Sequence, residues 1–92
     1  MPIILVKADN DVLLRLRPTR FGSVAFVSPF ARVIELNKTA TVFLLMLGMG
    51  YTEDQIIGSI AQKFKMDKCK VKEDFHSFMK LLEGNGISVK EC

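Results

Sequence analysis

The feature that most constrains the fold is a change of hydrophobic period at Asn37. Arg32 to Leu36 is a short run with strand periodicity, in which Arg32, Ile34 and Leu36 share one face. Val33 and Glu35 share the other face. Beyond Asn37 the apolar residues follow helical spacing, at Ala40, Phe43, Leu44 and Leu47. An asparagine side chain can accept a hydrogen bond from an N–H group at the start of a helix. The sequence therefore predicts a strand that passes directly into a helix at Asn37.

The residues before this point predict two further strands. The first is Val12 to Arg17, in which Leu14 and Leu16 alternate with Arg15 and Arg17. The second is Val24 to Val27, which is rich in strand-forming residues. Pro18 to Gly22 interrupts the first run, and Ser28-Pro29 marks a turn before the strand from Arg32 to Leu36. Connections this short favour an antiparallel meander. Ile3 to Val6 is a candidate additional strand.

The residues after the first helix predict two more helices. Gly48-Met-Gly50 ends the first helix, and Thr52 with Gln55 three residues later has the spacing of a capping box. A basic linker leads to the third helix, which begins between Lys68 and Lys72. Gly84 is the expected C′ residue of that helix. The apolar stripe of the third helix consists of Val71, Phe75, Phe78, Met79 and Leu82.

These elements predict an α+β fold in one domain spanning residues 1–92, with a core of about 12–89. A three-stranded antiparallel sheet is followed by three helices in a winged helix-turn-helix-like order. Asn85-Gly86 is a turn signal, and Ile87 to Val89 is a candidate short final strand.

Composition restricts function more by what is scarce than by what is present. The formal net charge is only +3, which permits an acidic peptide, an acidic protein or nucleic acid as partner. Cys69 and Cys92 are the two cysteines, and with no CxxC pair they predict neither a disulfide framework nor a metal site. The expectation is a reduced, cytoplasmic protein with no cofactor. No apolar run approaches the roughly 20 residues of a membrane span.

Candidate catalytic groups are few. His76 is the single histidine, and a solvated helix position explains it. Cys69 lies seven residues before it, two helical turns away, but the sequence supplies no third group to orient such a pair. We therefore expect a binding protein and no enzyme.

Several segments together resemble the PqqD-like family, also called RiPP recognition elements. Leu36-Asn-Lys-Thr-Ala40 matches the family's step from strand to helix, and Arg17-Pro-Thr-Arg-Phe-Gly22 resembles the entry of some members. Leu47 to Thr52 resembles the turn before the second helix, although many members carry an acidic residue before its glycine. The third-helix pattern and its exit are similar at Val71, Phe75, Phe78, Leu82, Gly86 and Ile87.

The resemblance implies a domain that binds the leader segment of a ribosomally made precursor peptide. Family members hold the leader as an added strand, paired with the third strand beside the third helix, and a separate enzyme, often a radical SAM protein, modifies the peptide. The sequence does not decide which flank of the third helix faces the peptide. The implied peptide-binding residues are Arg32, Val33, Ile34, Glu35 and Leu36 on the strand, and Lys72, Asp74, Phe78, Met79 and Leu81 on the helix.

A DNA-binding winged helix is the main alternative. Five lysines between Lys63 and Lys72 could contact phosphates. However, Val71 to Leu82 offers no Arg, Asn or Gln to read base edges, and it carries Glu73 and Asp74, which phosphate would repel. A scaffold subunit is the third reading. We expect a peptide and its modifying enzyme as partners, with neither nucleic acid nor membrane.

Overall fold

The helices follow the strands along the chain, and the strands form one sheet. The computed structural model describes residues 4–8, 12–28 and 31–87. The four strands pair antiparallel in chain order, so that the first and the fourth are the edges of the sheet. The elements are β1 (Ile4–Lys7), β2 (Leu13–Thr19), β3 (Gly22–Ser28), β4 (Arg32–Asn37), α1 (Lys38–Gly48), α2 (Glu53–Lys63) and α3 (Lys68–Gly84). The expected α+β class, with an antiparallel sheet and three helices, is confirmed.

The expectation of a three-stranded sheet is wrong, because β1 adds a fourth strand. The candidate strand at the N-terminus lies there, beside β2, with Val6 opposite Leu14. Three successive apolar residues, Ile4 to Val6, show no alternation, so the pattern alone could not distinguish this strand from a short apolar tail. The candidate final strand is not found at Ile87, which is buried outside any strand, and residues 88 and 89 lie outside the described ranges.

The hydrophobic core lies between one face of the sheet and the three helices. Alternate strand residues point into it, among them Leu14, Leu16, Ala25, Ile34 and Leu36. The helices contribute Phe43, Leu44, Leu47, Ile56, Ile57, Ile60, Ala61, Val71, Phe75, Phe78 and Leu82. We call this side of the sheet the inner face and the opposite side the outer face. No helix in the described ranges combines the length and the hydropathy that a bilayer span requires.

Side-chain caps fix where two helices begin. The Asn37 side chain accepts a hydrogen bond from the Ala40 N–H at 2.8 Å, which confirms the expected step from strand to helix. The predicted capping box is also present: the Gln55 N–H donates to Thr52 Oγ1 at 3.2 Å, and the Thr52 N–H donates to Gln55 Oε1 at 2.9 Å. Each cap satisfies N–H groups that have no partner within the helix.

The C-terminal end of α3 differs from the expectation at Gly84. The helix includes Gly84, Asn85 is its C-cap, and Gly86 has the left-handed φ of 75° that a C′ residue adopts. The Ile87 N–H then donates to the Leu82 carbonyl at 2.9 Å, and the Gly86 N–H donates to the Glu83 carbonyl at 3.0 Å. This is a Schellman motif, and the buried Ile87 completes it. The left-handed position therefore falls two residues later than predicted.

Removal of the capping box should destabilise the fold measurably. We expect Thr52→Ala to lower the free energy of unfolding by about 1 kcal/mol, because the Gln55 N–H loses its acceptor. Ser59→Ala, at an exposed position within the same helix, is the matched control and should leave stability unchanged or slightly raised. Urea unfolding followed by circular dichroism measures both, and equal stabilities for the two variants would contradict this role of Thr52.

Candidate functional site

The free edge of the sheet at β4 is the starting point of the candidate site. The sheet order places β3 on one side of β4, and within the described ranges no strand lies on the other side. An edge strand presents unpaired N–H and C=O groups, which can pair with an extended chain. Proteins usually shield such an edge, so its surroundings decide what it can bind.

Hydrogen-bonding directions along β4 follow from the register of the sheet. Thr19 and Gly22 face each other across a two-residue turn, and the residues that flank such a turn bond to each other. The direction alternates along a strand, so Ser23 bonds toward β4, where its partner is Leu36. Leu36 and every second residue before it therefore bond back to β3.

The residues between these positions, Val33 and Glu35, consequently direct their backbone groups to the free edge. They lie about 7 Å apart along the strand, and both side chains project from the outer face, where Val33 is 60% exposed. The pair offers two donors and two acceptors in a row. That spacing suits an antiparallel or a parallel added strand.

Helix α3 runs beside this edge without covering it. At one end, Arg32 Nη1 donates to Asn85 Oδ1 at 3.3 Å, which ties the start of β4 to the C-cap of α3. At the other end, Asp74 and Ser77 of α3 line the same depression as Asn37. Between these ends no Cα atom of α3 comes within 8 Å of a Cα atom of β4. Neighbouring strands lie about 4.8 Å apart, so the backbone of α3 does not occupy the position that a next strand would take beside β4. We call this position, between the free edge of β4 and α3, the edge groove.

The part of the edge groove near Asn37 has an apolar floor and a polar rim. Its volume is about 310 Å³, and its lining comes from the end of β4, the first turns of α1 and one side of α3: Asn37, Thr39, Ala40, Phe43, Asp74, Ser77, Phe78 and Leu81. The ring centroids of Phe43 and Phe78 lie 5.7 Å apart, and Phe75 meets Phe43 edge-on at 5.2 Å. This aromatic cluster is packed into the core and supplies a rigid floor.

Charges of opposite sign lie at the two ends of the edge groove. Asp74 is at the end near Asn37, where Lys70 Nζ lies 3.5 Å from its carboxylate. Arg32 is at the end near Asn85 and is exposed. Both groups lie at the surface, where an ion pair contributes little to stability. They can distinguish the two ends of a bound chain by charge.

The structure brings some of the expected site residues together and separates others. On β4, Ile34 and Leu36 are buried in the core, while Arg32, Val33 and Glu35 are exposed. On α3, Asp74, Phe78 and Leu81 line the edge groove. Lys72 and Met79 do not belong to that lining, and Met79 packs against the core. The sequence did not decide which flank of α3 faces the groove. In the structure, the flank with Asp74 and Leu81 lines it.

Five residues that line the groove were not among the expected binding residues: Asn37, Thr39, Ala40, Phe43 and Ser77. Ser77 lies three residues after Asp74 and four before Leu81, so helical spacing placed it on the same flank. Thr39 and Ala40 were assigned only to the start of a helix, and Phe43 only to the core. Their meeting with α3 joins positions more than 30 residues apart in sequence, and no local pattern indicates such a meeting.

His76 and Cys69 lie outside the groove lining. His76 Nε2 is 3.2 Å from Glu53 Oε1, so the imidazole links α3 to the first turn of α2. Cys69 is exposed in the first turn of α3. The expected solvated histidine therefore has a structural partner.

Comparisons of the chain with protein-family models, with curated proteins and with solved structures gave no match.

Proposed function

We propose that this chain binds the leader segment of a ribosomally made precursor peptide and delivers it to a separate modifying enzyme. The leader adds to β4 as a fifth strand in the edge groove. The observation that carries this proposal is the open edge of β4, where α3 lies alongside but leaves the position of a next strand free. The sequence resemblance to PqqD-like peptide-recognition domains supports the same mode.

Affinity in this mode comes from the backbone, and selectivity comes from the side chains. Val33 and Glu35 supply the main-chain hydrogen bonds, which any extended peptide can make. The depression between Thr39, Ser77 and Leu81 takes a side chain of the added strand, because alternate residues of a strand point to the same side. Leu81, at 43% exposed, gains apolar burial when it is covered.

The modifying enzyme enters the proposal through the resemblance alone. In this family the recognition domain acts together with an enzyme that is often a radical SAM protein. The chain itself then carries no catalytic group. Its contribution is to raise the local concentration of the peptide at the enzyme.

A winged-helix DNA-binding protein remains the second candidate, on the observation that Lys63, Lys65, Lys68, Lys70 and Lys72 are all exposed. These lysines could neutralise phosphates. A reading helix would also have to place donors against base edges. Ser77 and Leu81 occupy the groove side of α3, and neither makes the paired contacts by which Arg or Asn distinguishes bases.

Titration of the purified chain separates the two functions. The probes are the leader segment of a short precursor encoded beside the gene and a mixed-sequence DNA duplex, at about 0.15 M salt, where weak phosphate binding is reduced. We expect saturable binding of the leader and only weak, salt-sensitive binding of DNA. Tight, sequence-dependent DNA binding with no response to the peptide would overturn the proposal.

A variant within the edge groove localises the binding. Leu81→Glu places a carboxylate on the apolar side of the groove and should weaken leader binding by about three- to tenfold, or about 0.7–1.4 kcal/mol. Gln62→Glu makes the same change of charge at an exposed position on α2 and is the matched control. If the two variants bind the leader equally well, the peptide does not lie against α3.

A further inference from the structure

The outer face of the sheet carries an apolar belt with no covering element in the described ranges. One row of paired residues across the four strands reads Leu5, Arg15, Phe26 and Val33. Leu5 is 61% exposed, Phe26 43% and Val33 60%. An antiparallel sheet normally alternates apolar residues inside with polar residues outside, so three large apolar side chains in one outer row indicate a contact surface.

The neighbouring row shows how charge is distributed on this face. It reads Arg17, Val24 and Glu35, on β2, β3 and β4. Cations therefore lie on β2, an anion lies on β4, and apolar residues lie between them on β3. Arg17 and Glu35 are two strands apart, about 10 Å, and no salt bridge joins them within the described residues.

We propose that the outer face binds a second copy of this chain, sheet against sheet, about a two-fold axis that runs along β3. A two-fold axis makes an interface self-complementary. Rotation about β3 places β2 of one copy over β4 of the other and keeps each row in register with itself. Phe26 then meets Phe26 of the second copy, Val24 meets Val24, and Arg17 meets Glu35 of the second copy twice. Arg15 packs its aliphatic stem against Val33 of the second copy, and Leu5 of β1 lies beyond the three overlapping strands.

The geometry of packed sheets accommodates these contacts. Face-to-face sheets lie about 10 Å apart, a distance that an arginine and a glutamate extending from opposite sides can bridge. Aligned sheets are rotated by about 30°. Residues at the point where the two β3 strands cross are not displaced by that rotation, and residues one strand away from it move by about 2–3 Å, which the long side chains of Arg17 and Glu35 tolerate.

The alternative axis, perpendicular to the strands, is disfavoured by charge. It would place β2 over β2, so that Arg15 and Arg17 of the two copies would face each other, and like charges in contact are destabilising. The charge pattern therefore selects one orientation. The contact leaves the edge groove open, because the groove lies between the free edge of β4 and α3 on the inner side of the sheet.

The size of the face predicts a weak dimer. Three overlapping strands cover a patch of about 14 by 20 Å, which is below the roughly 800 Å² per partner of a standard stable interface. We expect a monomer–dimer equilibrium that shifts to monomer on dilution. Sedimentation velocity over about a hundredfold range of concentration detects it.

Charge exchange is the decisive test. Arg17→Glu and Glu35→Arg should each weaken the dimer more than tenfold, because each places like charges opposite each other at two symmetric positions. The double variant restores opposite charges and should recover the parent's dissociation constant to within about threefold. Phe26→Lys, at the centre of the contact, should give monomer at every concentration. Gln62→Glu, on α2, should leave the equilibrium unchanged.

Three results would overturn the proposal. The parent could sediment as monomer throughout the concentration series, the double variant could remain as weak as the single variants, or Phe26→Lys could still form the dimer. Circular dichroism verifies that each variant is folded. Should Phe26→Lys fail to fold, the charge-exchange set decides alone, since Arg17 and Glu35 are exposed on the sheet surface.

Discussion

Gly22→Ala should destabilise the chain by about 3 kcal/mol or more, the largest stability effect we expect from a single methyl group. Gly22 has a φ of +151°, which residues with a Cβ atom rarely adopt. A Cβ atom there would overlap the Leu36 carbonyl oxygen and would lie 2.8 Å from Asn37 Cα. These are backbone atoms of the neighbouring strand, so no side-chain rotation relieves the overlap.

The sheet register explains why the approach at Gly22 is so close. Gly22 pairs with Asn37 across β3 and β4, and the backbone groups of Gly22 bond instead to Thr19 of the hairpin. Partners that do not exchange hydrogen bonds have the shorter Cα separation, about 4.5 Å. A methyl group would force β4 away from β3 where β4 passes into α1. The Arg17-to-Gly22 segment therefore ends in a glycine for a steric reason.

Gly58→Ala is the matched control for this substitution. Gly58 lies within α2, and a Cβ atom there would meet nothing within 4 Å. Alanine is the better helix former by about 1 kcal/mol, so this variant should be more stable than the parent. Thermal unfolding compares the two, with about 4–8 °C expected per kcal/mol for a domain of this size. A Gly22→Ala variant that melts with the parent would show that the two strands can separate without cost.

Helices whose caps involve neighbouring residues could be predicted from the sequence. Elements whose placement depends on residues far away in sequence could not be predicted as well. Asn37 and Thr52 are caps that act within three residues, so the starts of α1 and α2 could be predicted from the sequence. The sequence indicated β1 only as a candidate strand at Ile3 to Val6, because its residues show no alternation and its place in the sheet depends on pairing with β2. The end of α3 was expected two residues too early, at Gly84. Its actual position depends on the hydrogen bond from the Ile87 N–H to the Leu82 carbonyl and on the burial of Ile87 in the core.

One part of the candidate site, the strand, could be predicted from the sequence, and the other part, the facing side of α3, could not. The strand from Arg32 to Leu36 was predicted from the placement of Ile34 and Leu36 on one face, and the structure leaves it at the edge of the sheet. The flank of α3 was undetermined, because Asp74 and Lys72 lie on opposite sides of one apolar stripe and both are polar. The hydrogen bond between Arg32 and Asn85 joins residues 53 positions apart, and the core packing of Phe75 and Phe78 places α3 beside β4. Only the folded chain contains that information.

Proline substitutions at the free edge should weaken leader binding more than any side-chain change in the groove. Val33→Pro and Glu35→Pro each remove an N–H that points to the edge, and each should cost more than tenfold in affinity, or about 1.4 kcal/mol. Neither N–H bonds to β3, so the sheet keeps its hydrogen bonds, and proline is tolerated at such edge positions. Val33→Thr keeps the N–H and the branched side chain and should bind nearly as well as the parent. Isothermal titration calorimetry with the leader peptide measures the affinities.

The opposite edge of the sheet provides the control. In β1, Val6 pairs with Leu14, and Leu5 pairs with Arg15. Hydrogen-bonding direction alternates along β2 from the Thr19–Gly22 pair. The backbone N–H and C=O of Val6 therefore point toward β2, and those of Leu5 point outward. Leu5→Pro therefore makes the same backbone change at the edge remote from α3, and it should leave leader affinity unchanged. Circular dichroism and melting curves establish that all the proline variants fold. If folded Val33→Pro and Glu35→Pro bind the leader as tightly as the parent does, the peptide does not add to β4. If Leu5→Pro weakens binding as much as they do, the peptide uses the other edge.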